Sequence, residues 1–273
     1  MLALPGTFFE SLPGVNLQIL SQVMAPFMLA TLRISSFLIA SPIFSIRGLP
    51  LQIRIVMSLC ITLAVASTVN IPDIQETVGA KLAIIAFSEI AIGLVAGLIL
   101  YIVFSAAALA GEKMAATGGL GFASLLDPET GAQSPVLAQL LSLFMLVAFV
   151  SLDGHLIVLS AIIQSYSILP IGGTLHFDEL IETGISAGSV MFKFAALIML
   201  PVVVGLTLIN VLIGVITRSA PTLNLFSFGF PITLMGSFFI LYISSDHIAY
   251  ALANLIEVAS SLVLDLFESA SNG

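Results

Sequence analysis

Charge is what this sequence lacks most. Of 273 residues only 8% are Asp, Glu, Lys or Arg, against about 25% in an average soluble domain. A soluble chain of this length must cover its surface with polar groups, and this one holds too few. Lipid or partner proteins must supply the missing surface. Basic residues are the scarcer kind, seven against fifteen acidic, for a net charge of −8. That balance argues against a nucleic-acid ligand, whose phosphates need basic patches. There is one cysteine, Cys60, so an intrachain disulfide is excluded. It lies in an apolar run, where a small buried hydrophobe is expected. Tryptophan is absent, so any interfacial aromatic belt must use Tyr and Phe. The first basic residue is Arg33, so the positive n-region of a secretory signal is missing. No polar linker divides the chain, and one domain over 1–273 is expected.

What is present is apolar length: 59% of the residues are hydrophobic. Six apolar segments run at roughly 17–46, 55–71, 82–111, 136–168, 184–217 and 225–245. They are continuous and do not alternate with period two, so they read as helices. Bare hydrocarbon also forces spanning backbone into helices or closed barrels. The expected fold is therefore all-α, a polytopic membrane protein of about six long, kinked helices arranged as hairpins. Segment 82–111 would be about 45 Å long as one straight helix, and a bilayer core is about 30 Å thick. Segments 136–168 and 184–217 are longer still. They must tilt, kink, divide, or extend beyond lipid inside a protein assembly. Pro26, Pro42, Pro201 and Pro231 are the expected kink points.

Basic residues set the expected topology. Arg47 and Arg54 flank the first loop, Lys113 lies in the third, and Arg218 opens the fifth. The fourth loop holds Asp178, Glu179 and Glu182 and no base. Odd loops then face the cytoplasm and both termini face outward. Arg47 to Pro50 and Arg218 to Pro221 both open cytoplasmic turns, an echo that a transporter with repeated halves would also show. The tail from His247 to Glu268 is amphipathic and suited to a membrane surface or a partner.

Six polar residues fall inside apolar segments: Arg33, Glu89, Asp153, His155, Lys193 and Asn210. A charge at bilayer depth costs roughly 2.5–3.5 kcal/mol on insertion scales, so each should face a partner group or a cavity. Two readings stand level, an ion or substrate path and buried pairing that fixes helix register. Arg33 and Lys193 are candidate counter-charges for Glu89 or Asp153. Asp153-Gly154-His155 reads as a turn dividing 136–168 ahead of a proton relay, because Gly154 relieves tight backbone.

Catalytic and metal chemistry find no support. The three histidines are far apart, no G-x-S-x-G elbow or Walker loop occurs, and no catalytic, metal or cofactor residue is assigned. The distinctive stretch is 111–135, GEKMAATGGLGFASLLDPETGAQSP. Gly118, Gly119 and Gly121 disfavour a stiff helix, while Met114, Leu120 and Phe122 add apolar bulk. Such a loop is a candidate constriction, since apolar pore linings gate by dewetting. The bland alternative is a re-entrant connector. Gly93 with Gly97, and Gly184 with Gly188, permit close helix contacts.

An ordered set of stretches then carries a resemblance. Arg33 is followed by SPIFSIRGLPLQIR, GEKMAATGGLGFASLLDPETG, SPVL, the 153–155 turn and LPIGG at 169–173. LPVV at 200–203 and TLINVLIGVITRSAPTLNLFSFGFP at 207–231 complete it. The chain resembles the FliR family of the flagellar type III export gate, related to the injectisome SctT proteins. The resemblance covers nearly the whole chain, and the DPETG and LPIGG stretches favour the flagellar branch. It implies a noncatalytic subunit in the bacterial inner membrane at the flagellar basal body. Such subunits assemble with FliP and FliQ into a helical pore, with FlhB on the cytoplasmic side, for unfolded flagellar subunits. ATPase and proton-motive machinery elsewhere would drive export. The resemblance also implies a FliP-like portion, 1–183, followed by a FliQ-like hairpin, 184–273. Within the first, the loop 111–127 would plug the closed pore. Lys113 and Thr117 make the start of that loop more polar than the resemblance implies. The competing expectation is an ion-coupled secondary transporter using Glu89 and Asp153.

Overall fold

The computed structural model describes residues 17–44, 50–66, 80–119, 136–173, 176–220 and 228–272. Among the described residues there is no strand, and eight α-helices follow one another. They are α1 (Leu17–Ala40), α2 (Leu51–Val65), α3 (Ala80–Thr117) and α4 (Val136–Ser151). Next come α5 (Gly154–Ile168), α6 (Phe177–Ser219), α7 (Phe230–Ile243) and α8 (Ser245–Asn272). The fold is that of a polytopic helical membrane protein. Three helices, α3, α6 and α8, are long and apolar enough to span a bilayer, and the bent pair α4–α5 makes up to four. At 1.5 Å per residue, α3 is about 57 Å long and α6 about 65 Å, roughly twice the hydrocarbon core.

Apolar helices must still carry hydroxyls, and these are satisfied locally. Thr31 donates to Phe27 O at 2.8 Å, Ser105 to Tyr101 O at 2.8 Å, and Thr207 to Val203 O at 2.7 Å. Bonding back to the preceding turn leaves no exposed polar demand in lipid.

Residue contacts divide the chain into two interleaved units. The first comprises 1–99, 158–184 and 263–273. Its core places Ile34, Phe37 and Leu38 of α1 with Ile92, Ala96 and Ile99 of α3, each at most 2% exposed. The α1 and α3 backbones approach closely at two glycines, as the small-residue spacing predicts. A Cβ on Gly93 would run into Arg33 O and Ser36 Oγ, and one on Gly97 would lie 2.6 Å from Ala40 Cβ. A Cβ added to Gly184 or Gly188 would meet nothing within 4 Å on a neighbouring element among the described residues.

The second unit comprises 100–157 and 185–262. Leu100, Val103, Ala107, Ala110 and Met114 line one face of α3 at helical spacing and are fully buried. Phe149 of α4 is also fully buried and meets Phe104 edge-on, with ring centroids 5.0 Å apart. The resemblance boundary at 183/184 falls inside α6, away from the ends of any helix.

The expected division of 136–168 occurs at Leu152-Asp153, where α4 and α5 bend by 67°. Asp153 itself takes the left-handed conformation, φ 56°, and its carbonyl accepts from the Leu156 and Ile157 N–H groups. Gly154 serves closeness here, because a Cβ on it would lie 2.6 Å from the Phe149 ring.

The prolines correct the kink expectation in part. Pro42 sits in the turn after α1, and Pro231 lies in the first turn of α7, where no N–H donor is needed. Pro201 alone of these three is interior to a helix, α6. Cys60 is exposed on α2, contrary to expectation, since that face of the apolar helix points out of the chain. The amphipathic tail forms α8, whose apolar stripe is spent within the chain: Leu255, Ala259, Val263, Leu266 and Phe267 are fully buried.

Candidate functional site

Two polar constructions stand out among the described residues. The first, in the 1–99/158–184/263–273 unit, joins α1, α3 and α5. Arg33 (0% exposed) and Glu89 (1%) form a two-point ion pair. Nε donates to Oε2 at 2.7 Å and Nη2 to Oε1 at 3.1 Å. Arg33 Nη1 donates to Ser165 Oγ at 2.9 Å, and Nη2 also donates to Leu169 O at 3.0 Å. The Gly172 backbone N–H faces the Glu89 carboxylate. The guanidinium lies 4.3 Å from the Tyr166 ring centroid, and Tyr166 OH donates to Ala30 O at 2.7 Å. Buried charges persist only when paired and hydrogen-bonded, and this pair is both.

Sequence reasoning offered Arg33 and Lys193 as counter-charges for Glu89 or Asp153 without assigning the pair, and missed Ser165, Tyr166, Leu169 and Gly172. The available signal was LPIGG at 169–173, which closes over the pair with a carbonyl from one end and an N–H from the other. Gly172 takes φ +79°, the left-handed conformation glycine tolerates. The pair joins three helices, and its carboxylate is met by Arg33 from within the chain.

The other intramembrane candidates are not gathered there. Asp153, Lys193 and Asn210 are exposed in the chain and His155 is half-buried, which corrects the expectation of burial for the first three. Their helices turn those faces away from this chain's own core. Among the described residues no group of three His, Cys, Asp or Glu side chains could hold a metal ion.

The second construction, in the 100–157/185–262 unit, is the end of α3. The helix continues through Thr117, so residues 111–117 are helical where a loop was expected. Ala115 and Ala116 are strong helix formers and carry it on. Met114 is consequently 0% exposed, a core residue of α3. The stop comes at the glycines: Gly118 N–H donates to Met114 O at 2.9 Å and Gly119 N–H to Ala116 O at 3.3 Å. Gly119 takes φ 73°, the usual left-handed exit from a helix. Asn210 Nδ2 reaches across from α6 to the Thr117 carbonyl at 3.0 Å. Leu120, Gly121 and Phe122 lie outside the described residues.

Of the turn residues, Pro50 is the N-cap of α2 and Arg54 is half-buried one turn later. Arg218 is exposed in the last turn of α6, where a cation complements the helix dipole. Arg47 and Pro221 lie outside the described residues.

Long apolar helices with exposed greasy faces define an integral membrane protein. Residues 24–259 match the model for bacterial export proteins, family 1, and the chain belongs to that family. Among its relatives is the flagellar biosynthetic protein FliR of Escherichia coli (strain K12). That protein is 31% identical over 74% of this chain and 77% of its own length. FliR of Bacillus subtilis (strain 168) is 29% identical over 88% of this chain and 93% of its own. The surface presentation of antigens protein SpaR of Shigella flexneri is 29% identical over 66% of this chain and 69% of its own. Family and apolar helices together give an inner-membrane protein of the flagellar export apparatus.

Proposed function

We propose that this chain is a noncatalytic subunit of the flagellar type III export gate. With FliP and FliQ, and with FlhB at the cytoplasmic side, it forms the pore through which unfolded flagellar subunits leave the cytoplasm. The supporting observation is the mismatch between helix and bilayer. Helix α6 is about 65 Å long, and only 22% of its most apolar stretch is buried within the chain. Ile181, Ile185, Leu200, Val204, Leu208, Val211 and Val215 are all at least half exposed along it. Lipid covers about 30 Å of such a face, and the remainder requires protein.

The Gly-rich segment plugs the resting pore. Met114 anchors the plug's base within α3, while Leu120 and Phe122 supply the seal and Gly118, Gly119 and Gly121 let it yield. Deleting 120–126 spares Met114 and the helix end. In cells making the whole apparatus this deletion makes the inner membrane leaky to small solutes while the complex still assembles. An assembled deletion complex with unchanged permeability would remove the plug. Of the two carboxylates the transporter alternative invokes, Glu89 is taken up by Arg33, while Asp153 sits exposed in the turn between α4 and α5.

A further inference from the structure

Pro201 lies inside α6, and proline has no N–H. In an α-helix that N–H would donate to the carbonyl four residues back, which here belongs to Leu197. The Leu197 carbonyl is therefore left without its helical partner. In a helix apolar enough to span a bilayer, a nearby hydroxyl or a neighbouring helix has to supply another donor. From Phe194 through Leu206, α6 has no side chain that could donate. The donor comes from α8, whose His247 Nε2 lies 3.1 Å from Leu197 O. A carbonyl only accepts, so this bond places a ring proton on Nε2.

The other arm is interrupted at the same level. A Cβ on Gly205 would lie 2.8 Å from Ile240 Cδ1, and one on Gly236 would lie 2.6 Å from Ile209 Cδ1. Residues 209 and 205 of α6 thus face 236 and 240 of α7, and 197 meets 247. This antiparallel register puts Pro201 level with Ser244, the single residue that separates α7 from α8. Ser244 leaves regular helical geometry, with φ −87° and ψ 0°. The backbone there is satisfied locally. Ser244 N–H donates to Ile240 O at 2.9 Å, and Ser245 Oγ donates to Tyr242 O at 2.8 Å. Only the α6 interruption draws its donor from the opposite arm.

We propose that this level is a hinge shared by α6 and the α7–α8 arm, and that His247 is its latch. His247 is a positioning residue that replaces the N–H Pro201 lacks. Ile198 and Val202 flank the proline and are fully buried, so α6 is packed on both sides of the break. The latch ties the arms together where neither has an unbroken ladder of backbone bonds.

The test uses the chain purified in gentle detergent from its own membranes, with the partners that accompany it. Hydrogen–deuterium exchange is read at the amides of 198–206. His247→Leu keeps bulk and loses the donor. Exchange should then quicken roughly two- to tenfold, the worth of one neutral hydrogen bond. His247→Gln returns an N–H near the same point and should exchange like the wild type. Pro201→Ala supplies the missing backbone donor, so adding His247→Leu to it should change exchange by less than about twofold. A packing role for the ring would cost the same with or without the proline. Equal quickening in both backgrounds, or none with His247→Leu alone, overturns the latch. Should His247→Leu not accumulate, the double variant should restore its abundance, and a double variant equally absent overturns the proposal. Should Pro201→Ala not accumulate, His247→Gln decides, and a Gln variant no better than the Leu variant overturns it.

Discussion

Glu89→Leu should remove this chain from the membrane, and Arg33→Met combined with it should bring much of it back. The single change strands a guanidinium that is 0% exposed. It loses two charge-assisted bonds, at 2.7 and 3.1 Å, and keeps only Ser165 Oγ and Leu169 O. Breaking a buried pair from one side costs about 3–5 kcal/mol, because the remaining charge has no counter-charge and no water. Total stabilities are about 5–15 kcal/mol, so that loss is a large share. Replacing both partners by apolar groups of similar size is often close to neutral. The double change still forfeits the bonds to Ser165 and Leu169, at about 1 kcal/mol each. The expected order is therefore wild type, then the double variant, then either single variant. Immunoblots of membrane fractions read it directly, since a change of about 1–2 kcal/mol already alters abundance several-fold. Glu89→Leu at wild-type abundance, or a double variant no better than the worse single one, would refute the lock.

Phe149→Ala should cost about 3–5 kcal/mol, since a fully buried ring is lost together with its edge contact to Phe104. Reduced abundance with normal transcript level checks it. Gly93→Val should prevent α1 from closing on α3, because the Arg33 carbonyl occupies the space. Limited proteolysis of membranes should then cut a chain that is resistant in the wild type. Leu208→Asp changes a residue 61% exposed on α6. It should leave the chain's own packing intact and stop its incorporation into larger complexes, as native gels would show.

Hydropathy alone located α1 to α7, because long uncharged runs have few alternatives in lipid, whereas α8 was legible only as an amphipathic tail. The break at Asp153 was also legible, since an Asp and a Gly together inside an apolar run invite a turn. The end of α3 was misplaced because the glycines were read as loosening the whole stretch. In the structure they terminate a helix that Ala115 and Ala116 sustain through Thr117. The ion pair was legible as one of four candidate pairings, of Arg33 or Lys193 with Glu89 or Asp153, and the sequence could not choose among them. Arg33 and Glu89 are 56 positions apart, and Ser165 and Leu169 lie 132 and 136 from Arg33. Asn210 was noticed for its polarity, yet its partner is a backbone carbonyl, which no side-chain pattern reveals. Asp153, Lys193 and Asn210 face outward because one chain's helices do not bury every polar face.

The central claim is that the exposed apolar length of α6 is buried against sister subunits around a conduit. Native mass measurement after gentle-detergent purification of this chain from its own membranes tests that claim most directly. A stable particle containing FliP and FliQ with this chain is predicted. A lone, well-folded copy that moves a small solute when placed in liposomes would contradict it.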